Sequence, residues 1–319
     1  MKTAIGIDFG GTFVKVGLVN NKGQILKKID FPTSQASSQK DWLEKISNII
    51  KSFKTLDNKI IGIGIGVPGF TDFKRGFIYD LPNVPGWENV PLSSIMKNKF
   101  NMPVYVDNDA NAMAAGECLF GAGHNLKHAV FITLGTGVGG ALLIDGKIYR
   151  GAYSMAGEVG HIPITFTGEK TKEGIAGLET FVGNARLINK AIEQIKQGKK
   201  TLIYELADRD LSKITPKIIA MAAKKKDKIA LEILDFMSEC LAIAFAGIIY
   251  TLQPQAIIIG GGVAKSGKLL FKPLKKHLKE RLSPLFFKLI KILPAKLGPE
   301  AGVIGSASLA FTNNINKND

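Results

Sequence analysis

Three neighbouring segments, TAIGIDFG (3–10), VKVGLVN (14–20) and QILKKIDF (24–31), decide the fold of the N-terminal part of the chain. Their apolar residues and the polar turn at 20–23 predict three short strands joined by tight turns. The same order of segments returns about 125 residues later as HAVFITLGTG (128–137), VGGALLI (138–144) and KIYRG (147–151). A unit that occurs twice predicts two related α/β domains facing each other across a cleft, with two unrelated hairpins as the alternative.

The remaining segments alternate amphipathic helices with buried strands. Predicted helices cover residues 40–54, 110–119, 178–197, 216–225, 229–252, 269–281 and 301–311. Predicted strands start at residue 60 and cover 104–106 and 256–262, and a hairpin turns near residues 74–76. We expect residues 1–107, together with a C-terminal helix of about 300–319 that packs back on them, to form the smaller α/β domain, and residues 108–299 to form the larger.

Composition places the chain among globular proteins, because 45% of its 319 residues are hydrophobic and 22% are charged. Cys118 and Cys240 are its two cysteines, too few for a disulfide framework, and indicate a reducing, cytoplasmic location. The longest apolar run, residues 240–252, is shorter than the roughly 20 residues that span a bilayer. The N-terminus lacks the features of a secretory signal, since Asp8 interrupts its apolar run. We therefore expect no membrane association.

The net charge of +15 raises the question of a polyanionic partner. Nucleic-acid readers favour the bidentate fork of arginine, but the basic residues here are mostly lysines, scattered along the chain. We therefore expect solvated helix faces and no nucleic-acid partner.

Glycine turns follow three predicted strands. Gly10, Gly11 and Thr12 follow the strand that carries Asp8, so backbone N–H groups can approach phosphate oxygens while the carboxylate holds a metal ion or its water. The segments GTGVGG (135–140), with the hydroxyls of Thr133 and Thr136, and GGG (260–262) are a second and a third such turn. Any one of them could be a structural turn, but together they favour a bound nucleotide. The sequence has no Walker loop, and no GxGxxG fingerprint follows the first strand, so a dinucleotide is not indicated.

The chain resembles the ROK family of sugar kinases and sugar-responsive repressors, and among its members the bacterial glucokinases. The resemblance extends over nearly the whole chain and rests on segments that occur in the family's order. They are IGIDFGGTFVKVGLV (5–19), VPGFTD (67–72), LPNVPGW (81–87), VDNDANAMAAGE (106–117), TLGTGVGGALLIDGKIYRG (133–151), AGEVGH (156–161), GLET (177–180) and IIIGGGV (257–263). It implies a two-domain α/β fold of the actin-like ATPase or hexokinase type, related to ribonuclease H.

The resemblance also implies a role for each matching position. Asp109 is expected to be the catalytic base that takes the proton of the sugar hydroxyl, which agrees with the general chemistry of phosphoryl transfer. The expected sugar shell is Gly69, Asn83, Asn108, Asp109, Glu158, His161 and Glu179. The expected ATP-binding residues are Asp8, Gly10, Gly11, Thr12, Lys15, Thr133, Gly135, Thr136, Gly137, Gly261 and Gly262. Asp8 is expected to hold Mg²⁺, directly or through water. From the residues alone, Asp109 could instead cap a helix, and Glu158 with His161 could form a surface pair or a metal site.

One segment departs from the family pattern. Most members carry a zinc knuckle of the form CxCGxxGCxE, in which the GH histidine is a fourth ligand, whereas this chain has KTKEGIAGLE at 170–179. Structural zinc sites need about four Cys or His ligands, so we expect no zinc and expect packing of Ile175, Leu178 and Phe181 to hold the segment.

These observations favour ATP- and Mg²⁺-dependent phosphorylation of a hexose, with glucose first. N-acetylmannosamine, N-acetylglucosamine, fructose or allose as substrate, or polyphosphate as donor, remain alternatives. A sugar-responsive repressor of this family would carry a helix-turn-helix domain before the first phosphate loop, whereas four residues precede Ile5 here. A non-catalytic sugar-binding regulator would be expected to have lost Asp8 or Asp109. By the resemblance, a homodimer is expected.

Overall fold

The computed structural model describes residues 1–36, 38–56, 59–81 and 84–315. Its strands are β1 (Thr3–Phe9), β2 (Phe13–Asn20), β3 (Ile25–Pro32), β4 (Ile60–Val67), β5 (Phe70–Asp72), β6 (Phe77–Asp80), β7 (Val104–Asn108), β8 (Ala129–Leu134), β9 (Val138–Ile144), β10 (Lys147–Tyr149), β11 (Lys170–Thr171), β12 (Gly174–Ile175), β13 (Ala256–Gly261) and β14 (Lys291–Pro294). Its helices are α1 (Gln39–Lys54), α2 (Leu92–Phe100), α3 (Asp109–Phe120), α4 (Glu179–Val182), α5 (Asn184–Lys196), α6 (Leu202–Leu206), α7 (Pro216–Lys224), α8 (Lys228–Leu252), α9 (Lys268–Arg281), α10 (Pro284–Leu289) and α11 (Ala301–Ile315).

Two five-stranded sheets share one topology, which confirms the predicted internal repeat. The first has the strand order β3-β2-β1-β4-β7 and the second β10-β9-β8-β13-β14. In each sheet the first strand of the repeat is central, with the second and third strands on one side of it and the fourth and fifth on the other. In the first sheet β1 pairs antiparallel with β2 and parallel with β4, and β4 pairs parallel with β7. The mixed α/β fold class is the predicted one.

The chain divides into two compact units. One comprises residues 1–126, 142–156 and 295–319, and the other residues 127–141 and 157–294. This division differs from the predicted boundary at residue 107, because α3 belongs with the first unit, where it packs on α11 and β4.

Aromatic and branched side chains fill the core on one face of the first sheet. The rings of Phe9, Trp42 and Trp87 lie 4.9–5.2 Å apart, and all three side chains are buried. Trp42 is on the face of α1 that also carries Ile46, Ile50 and Phe53, at the spacing that predicts this helix. Ser38 caps α1 by accepting a hydrogen bond from the Asp41 N–H.

Helix α11 packs on the first sheet at backbone distance. A Cβ atom on Gly64 would overlap the carbonyl oxygen of Ser306, and one on Gly6 would overlap that of Val303. Only glycine in β1 and β4 lets the helix backbone come so close. The chain entering α11 is also fixed, because the Glu117 carboxylate of α3 accepts hydrogen bonds from the N–H groups of Lys296 (2.9 Å) and Leu297 (2.8 Å).

The second unit contains the helices α4 to α10. The predicted helix over 178–197 is wrong as one element: it is two helices, α4 and α5, because Gly183 adopts an extended conformation between them. Helix α8 is long and apolar enough, by length and composition, to cross a membrane, which the 13-residue apolar run did not indicate. Since 67% of its most apolar window is buried, α8 has the surroundings of a core helix.

We predict that Gly64→Ala destabilises the protein by about 3 kcal/mol or more, because the new methyl group meets backbone rather than a side chain that can move. Urea unfolding at pH 7 measures the loss. The matched control is Gly247→Ala in α8, where an added Cβ meets nothing within 4 Å. That variant should gain up to about 1 kcal/mol from helix propensity. Equal stability of Gly64→Ala and wild type would contradict the packing described for α11.

Candidate active site

The first glycine turn joins β1 to β2 and carries Asp8 at its base. Asp8 lies opposite Lys15 in the antiparallel pair, and the Lys15 ammonium is 3.3 Å from its carboxylate. The turn is anchored by Thr33, whose hydroxyl donates to the Gly10 carbonyl (2.7 Å) and whose N–H donates to that of Thr12 (2.9 Å). The N-terminal end of α11 lies against the Asp8 side chain, since a Cβ on Gly302 would overlap its carboxylate. The structure thus brings together the predicted residues of the first phosphate loop.

Burial raises the pKa of Asp8 above the ordinary value for aspartate, and the nearby Lys15 only partly opposes this. A buried carboxylate that is poorly compensated is a common feature of binding sites.

The predicted base is held where β7 meets α3. The N-cap of α3 is Asn108, whose side chain accepts from the N–H of Ala110 (2.9 Å) and donates to the Gly69 carbonyl (3.2 Å). Asp109 is the first residue of the helix, and its carboxylate accepts a hydrogen bond from the Ala110 N–H at 2.8 Å. Asn108, and not Asp109, is therefore the N-cap of α3. Gly69, Asn108 and Asp109 lie together, whereas Asn83 lies outside the described residues.

A buried ion pair behind this turn was missed by the sequence analysis. The side chain of Asp107 is 1% exposed and receives two hydrogen bonds from the Arg150 guanidinium, at 3.0 and 2.6 Å. It also accepts from the Asn111 side chain (3.1 Å) and the Asn108 N–H (2.9 Å). Arg150 stacks 3.6 Å above the Phe73 ring. Burial raises the pKa of Asp107, and Arg150 opposes this rise. The four hydrogen bonds to its carboxylate fix Asp107 directly before Asn108 and Asp109.

In the second unit, the other two glycine turns lie side by side. Strands β8 and β13 are parallel neighbours, with Thr133 opposite Gly260 and Leu134 opposite Gly261. Their carboxyl ends therefore meet at the same sheet edge, where ligands bind in α/β proteins. Gly261 has a φ of +88°, and a Cβ there would overlap the Leu134 carbonyl oxygen, so this turn requires glycine. The backbone of Thr136 to Gly137 and of Gly261 to Gly262 is thus presented at one edge.

The remaining predicted sugar residues are also in the second unit. The Glu158 carboxylate lies 3.6 Å from His161 Nε2, and burial raises the pKa of Glu158, with Glu173 and Glu179 adding to the rise and His161 opposing it. His161 and Glu179 line one cavity of about 170 Å³ together with residues 171–174. Strand β9 packs closely against this segment, because a Cβ on Gly160 would overlap the Val138 carbonyl oxygen and one on Gly157 would overlap that of Gly140.

A short hairpin occupies the segment that aligns with the zinc knuckle. Strands β11 and β12 pair over Lys170–Ile175, and the backbone beyond them bonds to residues 162–164 through Ile164 N–H to Ala176 O (3.0 Å) and Leu178 N–H to Ile162 O (2.9 Å). Leu178 is buried as expected, but Ile175 is 49% exposed, so its expected packing role is wrong. Among the described residues, no group of three His, Cys, Asp or Glu side chains could hold a metal ion. The absence of zinc stays a prediction.

Each unit, taken by itself, offers groups of the kind that a magnesium nucleotide needs. Asp8 offers a hard oxygen ligand of the kind that Mg²⁺ prefers. In the three glycine turns, Gly11, Thr136, Gly261 and Gly262 are exposed, so phosphate oxygens can approach their backbone. The N–H groups of Gly10 and Gly135 already donate within their turns, to the Phe13 and Gly137 carbonyls.

We predict that Arg150→Met destabilises the protein by about 3–5 kcal/mol, because it leaves the Asp107 carboxylate buried without its cation. Chemical unfolding at pH 7 measures this. Arg186→Met is the control, since Arg186 and Glu193 form an exposed pair at 3.7 Å that should contribute less than about 1 kcal/mol. Adding Asp107→Asn to Arg150→Met should restore part of the stability. If Arg150→Met unfolds like Arg186→Met, Arg150 does not stabilise the turn.

We predict that Asp8→Asn stabilises the protein at pH 7, by about 1 kcal/mol. The pKa of Asp8 is higher in the folded than in the unfolded chain, so wild-type stability falls as the pH rises through this interval. The advantage of Asp8→Asn should therefore be small near pH 4 and grow toward pH 7 in thermal unfolding scans. Asp208→Asn, at a carboxylate 77% exposed, should show no such trend. A gain from Asp8→Asn that does not change with pH would contradict the assignment.

Known proteins are similar to this chain in sequence and structure over nearly the full length of the chain. The chain is 35% identical over 306 residues to a glucokinase of Thermotoga maritima, covering 96% of each chain. It is 32% identical over 315 residues to a xylose repressor of Caldicellulosiruptor bescii, covering 97% of this chain and 78% of the repressor. It superposes with a TM-score of 0.82 on a ROK family glucokinase from Streptomyces griseus in complex with glucose and AMPPNP, at 29% identity, covering 97% of this chain and 99% of the other. The model of the ROK family matches residues 4–313, so the chain, with its actin-like ATPase fold, belongs to the ROK family.

Proposed function

We propose that the protein is an ATP-dependent hexose kinase whose preferred substrate is glucose. The observation that carries this proposal is the turn from β7 to α3, where the Asp109 carboxylate is fixed beside Asn108 and the Gly69 carbonyl. This is a carboxylate in a defined orientation next to groups that can hydrogen-bond a sugar hydroxyl. A relative named glucokinase at 35% identity, and a glucokinase structure with glucose and AMPPNP, support the choice of sugar and donor.

In phosphoryl transfer the protein mainly positions the reacting groups and stabilises the charge of the transition state. In phosphoryl transfer from ATP the acceptor oxygen bonds to the γ-phosphorus as the bond from that phosphorus to the bridging oxygen breaks and ADP leaves, and an aspartate takes the proton of the acceptor hydroxyl. We assign the proton acceptor to Asp109. The Ala110 N–H holds one of its oxygens, so the carboxylate does not rotate freely.

Sugar recognition is assigned to Asn83, Asn108, Glu158, His161 and Glu179 with the Gly69 backbone. Carboxylates and amides with fixed directions select a neutral sugar through its hydroxyls. The glycine turns at 10–12, 135–137 and 261–262, with Lys15 and Thr133, are assigned to ATP. Magnesium, assigned to Asp8, would supply charge neutralisation for the phosphates when bound.

We predict that Asp109→Asn lowers kcat with glucose by about 10²- to 10⁴-fold while the Kd of glucose changes less than about threefold. The fold should persist, because Asn108 rather than Asp109 caps α3. A coupled assay with ATP and Mg²⁺ measures kcat, and calorimetry measures glucose binding.

Glu158→Gln is the companion variant, since Glu158 is assigned to sugar binding without proton transfer. It should raise the KM for glucose more than it lowers kcat. Turnover of Asp109→Asn close to wild type would refute the assignment of the base. If the wild type binds glucose but phosphorylates no hexose, the protein is a sugar-binding regulator instead.

A further inference from the structure

The Glu179 side chain borders both the second phosphate loop and the cavity lined by a proposed sugar ligand, which the proposed function treats as separate sites. Its carboxylate oxygen Oε2 accepts a hydrogen bond of 2.8 Å from the N–H of Val138, the residue that follows the second phosphate loop. The same side chain lines the cavity that also contains His161. One carboxylate therefore contacts the phosphate loop and faces a space lined by a proposed sugar ligand.

The loop and the helix that carries Glu179 are tied together at further points. A Cβ atom on Gly137 would overlap Glu179 Oε2, so the carboxylate rests directly on the loop backbone. The N–H of Asn184, the first residue of α5 directly after this helix, donates to the Gly135 carbonyl (3.1 Å). A change in the orientation of the Glu179 carboxylate must therefore change the backbone conformation of residues 135–138.

We propose that Glu179 couples the two ligands: a sugar hydroxyl bound by its carboxylate stabilises the loop conformation that binds the nucleotide phosphates. This inference rests on the proposed function. The sugar and the Val138 N–H hold one carboxylate in one orientation, so the first ligand to bind removes conformational freedom that the second need not remove again. The coupling is reciprocal, so nucleotide must tighten sugar binding by the same factor.

Glu158 provides the contrast that makes the inference testable. It is also a carboxylate assigned to the sugar, but its ion-pair partner is His161, at 3.6 Å, in its own segment. Removing either carboxylate removes one negative charge from the same unit, which by charge alone favours an anionic nucleotide. Only removal of Glu179 also breaks a hydrogen bond to the loop, and the loss of this bond weakens nucleotide binding.

The first experiment measures the Kd of Mg–AMPPNP by calorimetry without sugar. Glu179→Ala should bind about tenfold more weakly than wild type, in line with the loss of a hydrogen bond to a charged group. Glu179→Gln should stay within about threefold, because its amide oxygen can still accept from Val138. Glu158→Ala should bind as well as wild type or better. Equal nucleotide affinities of Glu179→Ala and Glu158→Ala would overturn the inference.

The reciprocal experiment changes the loop and measures glucose binding without nucleotide. Gly137→Ala displaces the Glu179 carboxylate and should weaken glucose binding by about tenfold. Gly135→Ala is the matched control in the same loop, because a Cβ there meets nothing within 4 Å, and it should leave the Kd of glucose within about twofold. Equal glucose affinities of the two variants would overturn the coupling even if Glu179→Ala fails to fold.

A last measurement separates this inference from the proposed function. Saturating glucose should tighten Mg–AMPPNP binding to wild type by about fivefold or more, and should have almost no effect in Glu179→Ala. If wild type binds both ligands with no coupling, the inference is wrong and the kinase assignment is unaffected. If wild type binds neither glucose nor AMPPNP, the proposed function itself is wrong.

Discussion

The close approach of α11 to β1 and β4 is the constraint on which the first unit depends. The helix backbone lies directly on the glycines of these strands, and Ser306 accepts a hydrogen bond from the Gly66 N–H at 3.1 Å. The same helix places Gly302 against the Asp8 carboxylate. The ends of β1 and β4, where the proposed ligands of phosphate and sugar begin, are therefore positioned by a helix that begins more than 230 residues further along the chain.

Two aspartates of this protein are buried, where a negative charge lowers the stability of the folded state. Asp107 and Asp8 are buried carboxylates whose pKa values are raised, and Arg150 and Lys15 compensate them only in part. In Asp107 the cost is offset by four hydrogen bonds that fix the Asn108–Asp109 turn. At Asp8 the cost remains, which supports the proposal that this carboxylate binds a cation. Stability and the proposed chemistry therefore oppose each other at the ends of β1 and β7.

Apolar periodicity was sufficient to predict the repeat, both sheets' first strands and most helices, because these depend on local pattern. It did not predict β14, whose four residues have no strand pattern of their own and pair with β13. It also joined α4 and α5, since Gly183 interrupts a continuous apolar stripe through its backbone conformation alone. The contacts that matter most at the candidate site are nonlocal: Arg150 with Asp107, and Glu179 with Val138, are 43 and 41 residues apart. The spacing of residues contains no signal for such pairs, although a buried-strand position occupied by Asp107 indicates that a cation must be near.

The segment 170–179 contains no cysteine and ends at Glu179, which is assigned to the sugar in the proposed function. Backbone hydrogen bonds of the β11–β12 hairpin and of residues 176–178 hold this segment against residues 162–164, and Glu179 follows directly. The proposed function requires that this chain phosphorylate glucose with ATP in the absence of zinc. The most direct measurement is glucose 6-phosphate formation by protein stripped of metal with a chelator and then supplied with Mg²⁺ and ATP, compared with the same sample given zinc, and with polyphosphate in place of ATP. We expect full ATP-dependent turnover of glucose that added zinc does not raise. Turnover that appears only after zinc is restored, or only with polyphosphate, would contradict it.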